Sequence, residues 1–182
     1  MIYILLGIGF IVVVYLIATF NSFISLKNKI KSAWSDIDVQ LKKRYDLVPK
    51  LVDIVKGYAK HESLTLEKVT EMRTAAMNSS SVPDKAHKES MLSGALKSIF
   101  AVAENYPDLK ANQNFLQLQK EIAKVEDDIQ MARRYYNGSV KQFNTKIETF
   151  PNLLVAQMLG YKAENFFELE SDNERNVVEV KF

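Results

Sequence analysis

The first 26 residues carry no charged side chain, and this feature constrains the fold more than any other in the chain. Residues 2–20 are continuously apolar apart from two glycines, two tyrosines and Thr19. A helix of about 20 such residues spans the roughly 30 Å of hydrocarbon in a bilayer. A cleaved signal peptide is the main alternative. No basic residues precede the run, the run is too long for a signal peptide, and no Ala-x-Ala cleavage site follows it. We therefore predict an uncleaved transmembrane anchor over residues 1–25.

Basic residues follow the apolar run closely and predict its orientation. Lys27, Lys29 and Lys31 come first, and only Met1 precedes the run. The positive-inside rule therefore places a short N-terminus outside the cell and the rest of the chain in the cytoplasm. We also expect these three lysines to contact anionic lipid headgroups. A solvated face on a juxtamembrane helix explains them equally well.

The remaining 150 or so residues have the size of one domain and the composition of a helical one. Glycine and proline are scarce, at six and four residues, which favours an all-α fold. The chain has no cysteine, which excludes disulfides, thiolate metal sites and cysteine nucleophiles. A net charge of +2 gives no argument for a nucleic-acid partner.

The apolar pattern narrows after the membrane segment but does not stop. We expect one helix to continue into the domain, weakened but not ended at Gly57, as far as the loop at residues 78–83. Pro49 predicts a helix bend where the chain turns from membrane segment to domain. The predicted inner stripe is Leu26, Ile30, Trp34, Ile37, Leu41, Tyr45, Val48, Val52 and Val55. The predicted solvated face around Pro49 is Lys43, Arg44, Asp46, Lys50, Asp53 and Lys56.

Three further helices follow from capping signals and periodicity. Ser81 is the predicted N-cap of a helix that ends near Tyr106. The next helix covers residues 111–150, and a short one covers residues 152–158 and ends at Gly160. The helix at residues 111–150 carries apolar residues at intervals of seven, namely Phe115, Ile122, Ile129, Tyr136, Phe143 and Phe150.

Together these patterns predict an elongated antiparallel bundle of about four long helices over residues 26–162. An acidic tail at residues 163–182 should end in a short strand at residues 177–182.

No arrangement of catalytic residues can be assembled from the sequence. His61 and His87 are isolated, and the adjacent acids Glu126, Asp127 and Asp128 point in different directions around a helix, as solvated residues do. Nucleic-acid binding would need a stripe of basic and aromatic residues, whereas the basic cluster of this chain lies beside the membrane segment. We therefore expect no enzymatic activity, no cofactor, no metal and no nucleic-acid partner.

Four segments of the chain carry a family resemblance, namely KRYDLVPKLVDIVKGYAKHE (43–62), ENYPDLKANQNFLQL (104–118), ARRYYNGSVKQFN (132–144) and FPNLLVAQMLGY (150–161). In this order they resemble the LemA family of bacterial membrane proteins. The resemblance implies a single N-terminal anchor in the bacterial cell membrane and a cytoplasmic bundle of long antiparallel helices. The family has no established enzymatic function, and some relatives are linked to building intracellular bacterial membranes.

Two functions fit these expectations. The first is a non-enzymatic membrane-anchored scaffold that forms homo-oligomers and organises or remodels the bilayer. The second is an adaptor or sensor subunit that binds a membrane protease, kinase or envelope protein. Polar residues of the resembling segments form a candidate binding surface, or they fix helix ends and register. These residues are Tyr106, Pro107, Asn114, Arg134, Tyr136, Asn137 and Asn144.

Overall fold

Every regular element in the described part of the chain is an α-helix. The computed structural model describes residues 1–168, and the predicted strand at residues 177–182 lies outside them. The all-α prediction is confirmed, with six helices where about four were expected. They are α1 (Ile2–Tyr58), α2 (Ser63–Met77), α3 (Val82–Ala103), α4 (Pro107–Lys110), α5 (Gln113–Glu148) and α6 (Asn152–Met158).

Helix α1 is uninterrupted over 57 residues, which confirms that the apolar segment continues into the domain. It is long and apolar enough in its first part to cross a membrane, and no other helix of residues 1–168 is. Pro49 lies inside α1, and the bend at this residue stays a prediction.

The expectation that this helix continues as far as the loop at residues 78–83 was wrong, because α1 includes Gly57 but ends at Tyr58. The Glu62 amide donates to the Ala59 carbonyl at 3.1 Å, which closes a turn between α1 and α2. Contacts on both sides fix this turn: Asn112 Nδ2 donates to Tyr58 Oη at 2.9 Å, and Tyr106 Oη donates to Glu62 at 3.2 Å. A glycine already costs a helix about 1 kcal/mol, and these tertiary contacts favour the break.

The later helix ends follow local capping chemistry. Ser81 accepts the Asp84 amide at 3.3 Å, as predicted. Asn112 Oδ1 accepts the Phe115 amide at 3.0 Å, so Asn112 caps α5, which begins at Gln113 and not at residue 111. The predicted bounds of α6 are confirmed, and Gly160 follows it with φ +71°. The Tyr161 amide donates to the Ala156 carbonyl at 3.0 Å, which completes a Schellman motif.

The helices form two units, which we call unit 1 and unit 2. Unit 1 comprises Met1–Val39 and Ile129–Phe166. Unit 2 comprises Gln40–Asp128 and also the last two described residues, Phe167 and Glu168. Helices α1 and α5 contribute residues to both units.

Unit 1 is built on antiparallel packing of α1 against α5, with α6 also against α1. Trp34 meets Tyr136 edge to face with ring centroids 5.3 Å apart, and Lys29 donates to Gln142 at 2.9 Å. Residue numbers thus fall along α1 as they rise along α5. Phe23, Ile30 and Ile37 are buried on the α1 side.

Unit 2 brings α1, α2, α3 and α5 around a second core. Leu41, Val48, Leu51 and Val55 of α1 are almost fully buried there. The interval of seven along α5 describes buried positions in both units, with one exception. Phe115, Ile122, Ile129, Tyr136 and Phe143 are buried, whereas Phe150 lies beyond the end of α5 and is 75% exposed.

Candidate membrane-proximal site

Helix α6 lies against the apolar segment of α1 within unit 1. Tyr15 Oη donates to Asn152 Oδ1 at 2.7 Å, and Thr19 Oγ1 donates to the same oxygen at 3.5 Å. Asn152 and Thr19 are both buried. The apolar segment therefore has a specific polar contact with the C-terminal part of the fold, in addition to its chain connection.

An apolar surface surrounds this polar contact. Three residues of α1 and three from α6 and its C-cap line a groove of about 320 Å³. Phe150 and Met158, the most exposed of the neighbouring apolar side chains, are 75% and 85% exposed. The groove is lined by Leu16, Ile17, Phe20, Val155, Met158 and Leu159.

The three lysines predicted to contact headgroups lie just after this region on α1. Lys27 Nζ is 5.6 Å from the centroid of the Tyr161 ring and 3.7 Å from the Glu164 carboxylate. Lys29 donates to Gln142 and lies 5.7 Å from the centroid of the Tyr135 ring, and Lys31 is exposed. Their contact with lipid stays a prediction.

The chain after α6 is held to α5 by one asparagine. Asn144 Nδ2 donates to the Glu164 carbonyl and its Oδ1 accepts the Glu164 amide, both at 2.9 Å. Tyr136 Oη donates to the Asn165 carbonyl at 3.0 Å. Burial, and then the nearby Glu164 carboxylate, raise the pKa of Tyr136. These contacts fix residues 164 and 165 through their backbone.

The seven polar residues of the candidate binding surface are divided between the two units. Tyr106, Pro107 and Asn114 belong to unit 2, and the other four belong to unit 1. Tyr136 and Asn144 hold the segment after α6, and Asn137 is half-buried.

In unit 2, Tyr106 precedes α4, with Pro107 as the first residue of that helix. Partial burial, together with the hydrogen bond to Glu62, raises the pKa of Tyr106. The side chains of Asn114 and Arg134 are exposed, so these two are the members most available to a partner.

Sequence reasoning missed a buried ionic cluster in unit 2. Arg44 was placed on the solvated face, yet it is 1% exposed and pairs with Glu89, which is 3% exposed. Tyr45 Oη donates to the same carboxylate, and Arg44 donates to Ser93 at 2.8 Å.

Glu126 was expected to be solvated, but it pairs with Arg44 and is largely covered. A signal for the cluster existed, because Glu89 lies three residues from both Ala86 and Leu92 on the buried stripe of α3. A charged residue at such a position requires a partner.

Among residues 1–168, no group of three or more His, Cys, Asp or Glu side chains is placed to hold a metal ion. His61 and His87 are both exposed.

Comparison with known proteins decides the family. The model of the LemA family matches residues 33–182. The chain belongs to the LemA family. It is 37% identical over 160 residues to Protein LemA of Metamycoplasma hominis, covering 85% of this chain and 71% of that protein.

More distant relatives carry a different name. Magnetosome proteins MamQ 1 and MamQ 2 of Paramagnetospirillum magneticum are each 21% identical over 194 residues, which covers 90% of this chain and 71% of theirs. The family match confirms the resemblance found in the four sequence segments.

Proposed function

We propose that this LemA-family chain is a non-enzymatic, membrane-anchored scaffold that self-associates and organises or remodels membrane. The observation that carries the proposal is helix α1, in which the apolar segment and the inner stripe of the helical domain form one uninterrupted helix. The anchor is therefore continuous with the first helix of the domain, and no flexible linker separates the two within α1. The similarity of this chain to two magnetosome proteins, MamQ 1 and MamQ 2, supports the proposal.

We place the anchor in the bacterial cell membrane with the helical domain in the cytoplasm. The support is the basic group Lys27, Lys29 and Lys31 immediately after the apolar segment. Because the chain has no cysteine, a single Leu64→Cys variant tests the orientation. A membrane-impermeant maleimide should leave this thiol unlabelled in intact cells and label it after lysis. Labelling in intact cells would show that the orientation is the reverse of the proposed one.

Self-association requires an exposed surface that a second copy can cover. Met131 and Tyr135 lie one turn apart on the same face of α5, and each is about half exposed. Apolar side chains at this spacing on one helix face suit packing against a second helix.

Light scattering on the full chain in mild detergent tests the scaffold. We expect a protein mass of several times 20.8 kDa. A double variant, Met131→Glu with Tyr135→Glu, should lower this mass, whereas Leu64→Glu on the exposed side of α2 should leave it unchanged. A wild-type chain that is strictly monomeric and leaves the shape of liposomes unaltered would overturn the proposal.

The second candidate function is an adaptor that binds another membrane protein. The observation that favours it is the exposure of Arg134 and Asn114, both of which lie in the family segments. A photo-crosslinking residue at either position should trap a different protein in cells, while one at the exposed Lys68 serves as the control. Recovery of only this chain from both positions would favour the scaffold.

A further inference from the structure

We propose that helix α6 is a second membrane contact, with its apolar side chains inserted into the acyl-chain boundary of the same leaflet that α1 leaves. The inference rests on the transmembrane assignment of α1 and adds a lipid-facing surface formed by Phe150, Leu154, Met158 and Leu159.

The depth of α6 follows from its contact with α1. The continuous apolar run ends at Phe20, and 19 residues of helix measure about 28 Å, close to the thickness of the hydrocarbon core. Tyr15 lies five residues before that end, or about 8 Å of helix inside it. Since Tyr15 donates to Asn152 at 2.7 Å, the first residue of α6 lies at the level of the acyl chains.

The chemistry of α6 matches this depth. Leu154, Met158 and Leu159 are exposed, and the groove beside them is continuous with Leu16, Ile17 and Phe20 of the span. The side-chain oxygen of Asn152 accepts hydrogen bonds from Tyr15 and Thr19, as a polar group in hydrocarbon requires. Leu154 and Met158 of α6 therefore expose apolar groups to the same environment as the span, and the exposed Gln157 lies beside them.

Basic groups mark the adjacent headgroup level. Lys141 and Lys146 line a shallow groove of about 430 Å³ that ends at Asn152, and Lys162, four residues after the end of α6, is exposed. Apolar side chains bordered by lysines are the arrangement of an element that lies in the membrane interface. This charge pattern favours lipid over a second protein copy as the occupant of the surface.

Spin labels at single cysteines test the inference in the full chain reconstituted into nanodiscs that contain anionic lipid. The labelled variants are Met158→Cys for α6, Phe10→Cys for the span and Leu64→Cys for an exposed apolar position in unit 2. Each replaced side chain is at least 70% exposed, so the fold should tolerate all three. The measured quantity is the accessibility of the label to oxygen, which enters lipid, and to a water-soluble nickel chelate.

We expect the label at position 158 to resemble that at position 10, with an oxygen-to-nickel accessibility ratio several-fold higher than at position 64. A label at 158 that resembles the one at 64, while position 10 lies in lipid, would overturn this inference and leave the anchor intact. A label at position 10 that is open to the nickel chelate would overturn the anchor itself. A label at 158 that is shielded from both reagents would show that protein covers α6, and would also overturn the inference.

Discussion

Units 1 and 2 bury different kinds of polar group. Among the described residues, the buried polar side chains of unit 2 are the charged Arg44 and Glu89, whereas those of unit 1 are the neutral Thr19, Ser139 and Asn152. A buried ion costs several kcal/mol to desolvate and needs a well-placed partner, whereas a neutral amide or hydroxyl needs only a hydrogen bond. Unit 1 contains the candidate membrane span, where water is absent and a charge would cost most. The two units therefore specify their packing by different means.

The largest expected effect concerns the ion pair of unit 2. Glu89→Ala should lower the free energy of unfolding by about 3–5 kcal/mol, because it leaves Arg44 charged and buried with its main partner removed. Urea unfolding of the full chain in detergent, followed by circular dichroism, measures this loss.

Two controls accompany that variant. Glu71→Ala, at an exposed position of α2, should change the free energy by less than about 0.5 kcal/mol. Adding Arg44→Met to Glu89→Ala should recover much of the loss, because the unpaired charge is then gone. A Glu89→Ala loss below about 1 kcal/mol would show that Glu126 and Ser93 suffice for Arg44.

In unit 1, the corresponding polar contact is Asn144 with the Glu164 backbone. Asn144→Ala removes two hydrogen bonds and should cost about 1–3 kcal/mol, less than the loss of a charged partner. Hydrogen exchange at the Glu164 amide should become faster. Asn114→Ala, the same change at an exposed position, is the matched control. Equal exchange rates in the two variants would contradict the assigned role of Asn144.

A smaller effect is expected at the membrane-proximal contact. Tyr15→Phe removes one donor to Asn152 while Thr19 retains the other, so the cost should be about 1 kcal/mol. Thermal unfolding in detergent measures it. Tyr3→Phe makes the same change at an exposed position of the span, and its unfolding temperature should match that of the wild type. If Tyr15→Phe behaves like Tyr3→Phe, the hydrogen bond contributes nothing to the anchor.

The smallest effect is a pH dependence that comes from Tyr136 in unit 1. The folded state raises the pKa of Tyr136 above its ordinary value of 10.0, so its contribution to stability is complete below pH 10 and is lost as the pH rises through the raised value. The near-ultraviolet absorbance of tyrosinate should show late-titrating phenols, with Tyr106 and Tyr136 among them, and Tyr136→Phe should remove one of these. Glu164→Gln should lower that pKa only in part, because burial is the larger cause. A late phase of undiminished amplitude in Tyr136→Phe would show that Tyr136 is not one of the late-titrating phenols.

The elements that the sequence predicted correctly depend on local chemistry. Pro151 and Gly160 bracket α6, and the Ser81 cap starts α3, because each signal acts within one helical turn. The interval of seven along α5 also predicted its buried positions, because helix geometry repeats regardless of the partner. Local signals of this kind determined most of the fold.

The features that were missed depend on residues far apart in the chain. The Arg44–Glu89 pair joins residues 45 positions apart, and a lone arginine among charged neighbours reads as solvated. The Asn144 contact uses backbone atoms of Glu164, which no side-chain pattern reveals. The break after Tyr58 depends on Asn112 and Tyr106, again from distant segments.

The hydrogen bond between Tyr15 and Asn152 has a consequence for how the protein can be altered. A membrane span that only tethers can be exchanged for any other span of similar length. Here, inserting one residue between Thr19 and Lys27 would rotate Tyr15 and Thr19 by about 100° around α1 relative to Lys29 and Trp34, because a helix turns once in 3.6 residues. The groups that meet Asn152 and those that meet α5 would then no longer face their partners together. The first helix is therefore a structural component whose rotation about its own axis is fixed. Chimaeras that replace its apolar segment should preserve both the length of that segment and Tyr15.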